Sequence, residues 1–136
     1  MTAVSAAASG AAAQPALDLL RTDTPPRIDG RLDDPVWARA PASDTFVQVE
    51  PVSGALPDRR TIVQAAYDAD TLYIAVRCED EGNIRAVEMA RDGSLDGDDT
   101  VLVVIDPFDN RRNGYLFALA AGGARIDAIL EGGRRS

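Results

Sequence analysis

The sequence predicts an all-β fold: an antiparallel β-sandwich of two sheets, immunoglobulin-like or jelly-roll-like, with one short N-terminal helix. Three observations lead there. The acidic side chains are 17 Asp to 5 Glu, and Asp favours turns and caps where Glu favours helix interiors. The apolar residues come in short runs closed by Asp, Asn, Gly or Pro, which is how strands are punctuated. At least one of those runs, TLYIAVRC, alternates with the period of two that a strand requires.

The elements follow in chain order. Residues 1–16 are dominated by Ala and Ser and carry no charge. They read either as the tail of a secretory signal, with an A-x-A-like site near Ala11 to Ala13, or as a low-complexity leader. The β domain then covers 17–136. LDLLR (17–21) is a candidate first strand and TPP breaks the chain after it. IDG (28–30) reads as a turn. In DDPVWARA, Asp33 or Asp34 is placed to cap a short helix with Pro35 at its first position. TFVQVE (45–50) alternates and reads as a strand, followed by a loop over 51–58.

RTIVQAAYD (60–68) and TLYIAVRC (71–78) flank the tight turn DADT and form a hairpin. Alternation puts Leu72, Ile74, Val76 and Cys78 on one face and Tyr73, Ala75 and Arg77 on the other. Residues 79–99 are polar, with one short helix expected near 84–90. VLVVI (101–105) is unbroken, apolar and β-branched, so it reads as a central strand covered on both faces. DPFDNRRNG (106–114) is a long turn. YLFALAA (115–121) and ARIDAIL (124–130) flank a second hairpin turn. Six or seven strands with little helix fit a sandwich.

Composition excludes several functions. A net charge of −8 over 136 residues argues against nucleic acid, whose phosphates attract a basic face. No apolar run reaches the length of a transmembrane helix. With no His in the chain, Ser-His-Asp and Cys-His nucleophiles, His-rich zinc sites and a Met–His haem on Met89 all drop out. Cys78 is the one cysteine, so no internal disulfide forms. Its apolar strand predicts a buried structural thiol.

Two groups of side chains could bind something. Asp92, Asp96, Asp98 and Asp99 crowd together beside Gly93 and Gly97, and Asp80 ends the strand before them. Close carboxylates repel unless a cation or protons intervene. Asp80, Asp96, Asp98 and Asp99 are therefore candidate calcium ligands, against the plainer reading of a solvated acidic loop. Sugar recognition needs aromatic faces and planar polar groups. Trp37, Tyr115, Asn110, Arg111, Arg112 and Asn113 supply these types. The structural alternative for each is clear: Trp37 plugs one end of the sandwich, Tyr115 packs in its strand, and Asn113 with Gly114 makes a turn.

Three strings run in order along the chain: IDGRLDDPVWARA, then AAYDADTLYIAVRCED, then DDTVLVVIDPFDNRRNGYLFALAAGGARID. Together they resemble the family 9 carbohydrate-binding modules. The version they are most similar to stands at the N-terminus of bacterial outer-membrane proteins whose remainder is barrel-like. The resemblance spans about 28–127 and implies a β-sandwich that binds a glycan or polysaccharide without catalysis, with calcium in some members. It implies a secreted, periplasmic or outer-membrane-associated protein, and places Asp68, Asp80 and Asp99 at acidic strand ends. Family domains continue for several strands beyond Leu130, so it also implies a copy incomplete at its C-terminus. Sugar-binding members stack the ligand between two Trp, and this chain has one. Two alternatives accompany the resemblance: a structural or interaction domain attached to an outer-membrane barrel, and an accessory fragment of a glycoside hydrolase.

Overall fold

The computed structural model describes residues 16–80 and 99–132, and the backbone of 134–135. The described residues divide into two compact units, one over 16–80 and one from residue 99 onward. Each unit is built on its own four-stranded sheet. The leader over 1–15, the helix expected near 84–90 and the carboxylates Asp92, Asp96 and Asp98 lie outside the described residues.

The first unit contains β1 (Leu20–Arg21), α1 (Pro35–Arg39), β2 (Ala42–Ser43), β3 (Thr61–Tyr67) and β4 (Leu72–Cys78). β3 is its spine. β4 pairs with it antiparallel, from Thr61 opposite Cys78 to Tyr67 opposite Leu72, which is the hairpin expected from the sequence. The turn is fixed by Asp68, whose Oδ1 accepts the amides of Asp70 and Thr71 at 2.9 Å each. The Tyr73 hydroxyl donates to Asp68 Oδ2 at 2.6 Å. β1 runs parallel to the far end of β3, with Leu20 opposite Ala66, and β2 runs antiparallel, with Ala42 opposite Gln64.

Alternation along β3 and β4 sends Gln64, Ala66, Tyr73 and Ala75 to one face. There α1 packs: Val36, Trp37 and Ala40 form the core with Ala66 and Ala75, and Leu20, Leu32 and Tyr73 border it. Two alanines where larger side chains could stand leave room for the indole against the sheet. The Gln64 amide closes the end of the helix, donating to the carbonyls of Trp37 at 2.8 Å and Ala40 at 2.7 Å. These are among the last helical carbonyls, which have no partner within the helix.

Asp34 occupies the N-cap position, but its side chain makes no cap hydrogen bond. Its carboxylate instead accepts from the Arg27 backbone amide (3.2 Å) and Nε (3.3 Å), while Arg27 Nη2 reaches Asp33 at 3.3 Å. The two Asp therefore tie residue 27 to the helix start. Gly30, at φ 79°, makes the IDG turn with Asp29, whose Oδ1 accepts the Arg31 amide at 2.9 Å.

The second unit holds β5 (Thr100–Ile105), β6 (Gly114–Ala120), β7 (Arg125–Glu131) and β8 (Arg134–Arg135), in that spatial order and all antiparallel. Gly123, at φ 93°, turns the chain between β6 and β7, its amide bonded to the Ala120 carbonyl at 2.9 Å. Gly114 opens β6 at a close approach: a Cβ there would lie 2.7 Å from the Ile105 carbonyl oxygen. Ala118 and Ala120 of β6, with Ala124, are buried.

Four expectations are corrected. TFVQVE is not a strand; strand pairing here is limited to Ala42–Ser43. The register Ser43 opposite Val63 brings residue 45 level with Thr61, the first residue of β3, so Phe46 onward has no strand to pair with. The first strand is two residues long rather than five. VLVVI is not central: among the described residues β5 pairs only with β6, at a sheet edge, and Val104 is 57% exposed. Cys78 is exposed, not buried. It closes β4, which among the described residues is also an edge strand, on the same face as the exposed Leu72 and Ile74.

Candidate functional site

The turn from Asp106 to Asn113 joins β5 to β6 and carries four of the six sequence-selected sugar-binding residues, with a fifth, Tyr115, on the strand it feeds. Its shape comes from side-chain oxygens that take up backbone amides. Asp106 accepts from the amides of Arg111 (2.6 Å) and Phe108 (3.1 Å). The Arg111 amide does most to hold the Asp106 carboxyl below the usual carboxylate range; desolvation opposes it, and the amides of Asn110, Phe108 and Asp109 add smaller downward effects. Asn110 Oδ1 accepts from Arg112 at 2.8 Å and Asn113 at 2.9 Å. Asn113 Oδ1 reaches across to the Gly132 amide at 3.4 Å. Asp109 and Arg111 sit in the left-handed region, at φ 48° and 55°, where a Cβ is strained.

So the oxygens of Asn110 and Asn113 are engaged in holding the turn, and what each offers a ligand is its amide NH2. The side chains of Arg111 and Arg112 are exposed, and among the described residues neither guanidinium has a carboxylate within ion-pair distance. Phe108, in the same turn, is 72% exposed.

β6 extends this polar turn into an aromatic strip. Tyr115 and Phe117 share a face by the period of two, and each is 46% exposed. Opposite them on β7 stand Ile129 and Asp127, and Arg125 lies opposite Leu119. Phe117 and Phe108 were not selected from the sequence. Their signal was present: Phe117 is two positions from Tyr115, but an exposed sheet face and a buried one have the same alternation.

Trp37 is buried rather than exposed. It sits in the first unit at 6% exposure, inside the α1 core, so neither ring face is open for a sugar to stack on. Its Nε1 is buried and has no hydrogen-bond partner among the described residues. The choice between plug and platform left open by the sequence resolves toward packing.

Two of the four proposed calcium ligands, Asp80 and Asp99, are among the described residues. Asp80 pairs with Arg59 at 2.9 Å in the first unit. Asp99 belongs to the second, where its carbonyl accepts the Ala121 amide at 2.8 Å. Asp96 and Asp98 lie outside the described residues. Among the described residues no three carboxylate or thiol side chains gather as a metal site would require. Asp68 is occupied by its turn: the Tyr73 hydroxyl, first, and the Asp70 amide hold its carboxyl below the ordinary range.

In comparisons with known proteins, the chain matches no family model, no curated protein and no solved structure.

Proposed function

We propose that this chain is a non-catalytic carbohydrate-binding domain of the β-sandwich class, from the bacterial cell envelope or its exterior. The observation that carries the reading is the half-exposed pair Tyr115 and Phe117, continuous with a turn bearing Arg111 and Arg112. Aromatic faces cover the apolar face of a pyranose, and guanidinium donors answer its hydroxyls. The ordered strings from residue 28 to 127 support the same reading through their resemblance to family 9 modules.

The test is calorimetric titration of xylan, cellulose and chitin oligosaccharides into the folded protein, with calcium and with chelator. Saturable binding that disappears in the Tyr115→Ala/Phe117→Ala double variant, while the fold persists by circular dichroism, supports the proposal. No binding by a cooperatively melting protein defeats it. A second reading, a structural domain attached to an outer-membrane barrel, is favoured by the packing role of Trp37 and the engaged oxygens of Asn110 and Asn113.

A further inference from the structure

We draw no further inference here: the strongest candidate, the half-exposed apolar strip of Tyr115, Phe117, Leu119 and Ile129 on the β6–β7 face, carries nothing beyond the reading above, because nothing in the structure shows what covers it.

Discussion

Truncating Trp37 to alanine separates a packing role from a binding role. The indole is 6% exposed and lies against Val36, Ala40, Ala66 and Ala75. Emptying a site of this kind costs about 3–5 kcal/mol, as transfer free energy plus an unfilled cavity. Against a whole-domain stability of about 5–15 kcal/mol, that is a large fraction. With a urea slope of about 2 kcal/mol per molar, the midpoint should fall by about 2 M. Trp37→Phe is the sharper control. It removes some ring volume, a loss of about 1–2 kcal/mol. It also removes an indole N–H that is buried without an acceptor among the described residues, which returns about 1–3 kcal/mol of desolvation. The two terms offset, so Trp37→Phe should lie within about 1 kcal/mol of the parent. Urea melts followed by far-ultraviolet circular dichroism measure both variants without using the fluorophore. A Trp37→Ala cost below about 1 kcal/mol would refute the core assignment. A Trp37→Phe cost equal to that of Trp37→Ala would refute the account of the unpaired N–H.

Other substitutions test other joints of the fold. Gly114→Ala should destabilise by about 1–3 kcal/mol, because its Cβ must displace the Ile105 carbonyl at 2.7 Å; a thermal melt unchanged from the parent would contradict that close approach. Gln64→Ala leaves the carbonyls of Trp37 and Ala40 without their donor, at about 1–3 kcal/mol. The amide protons of α1 should then exchange faster, and unchanged exchange would argue against the role. Asp68 has a depressed folded pKa, so its contribution is present above the unfolded aspartate value and is lost as pH falls through the lower folded value. Asp68→Asn should therefore flatten the acid limb of the stability profile and leave the slope near neutrality unchanged; an acid limb as steep as the parent's would exclude Asp68 as a source. Arg111→Gly relieves a left-handed backbone and should stabilise the turn by up to about 1 kcal/mol while weakening any glycan affinity. A loss of stability in that variant would show that the guanidinium supports the turn.

The β3–β4 hairpin was legible in the sequence because its information is local. DADT supplies the turn, and Asp68 and Tyr73 lock it within five residues of each other. The same holds for the β6–β7 hairpin, where Gly123 takes the positive φ. VLVVI misled because an unbroken apolar run fixes neither a strand's edges nor the cover on its faces: among the described residues β5 pairs with β6 alone, and Val104 is 57% exposed. TFVQVE has a strand's alternation, but β3 ends before it can be paired. The turn residues were found at the right place, yet the spacing could not show that Asn110 and Asn113 direct their oxygens inward to amides. Trp37 was legible as either plug or platform, and the distinction needed Ala66 and Ala75, which lie 29 and 38 positions further along the chain.

The layout of the first unit bears on the order in which it assembles. β3 and β4 meet across a turn of a few residues, whereas β1 reaches β3 by bringing Leu20 beside Ala66, and α1 reaches the same sheet across the intervening loop. Closing such long loops has an entropic cost that a hairpin avoids, so distant contacts form late. The hairpin is then the template, and the N-terminal stretch is the piece laid onto it. Since the only tryptophan travels with that stretch, its fluorescence times the final docking. Stopped-flow refolding followed by tryptophan emission should therefore lag behind the growth of β-signal in circular dichroism.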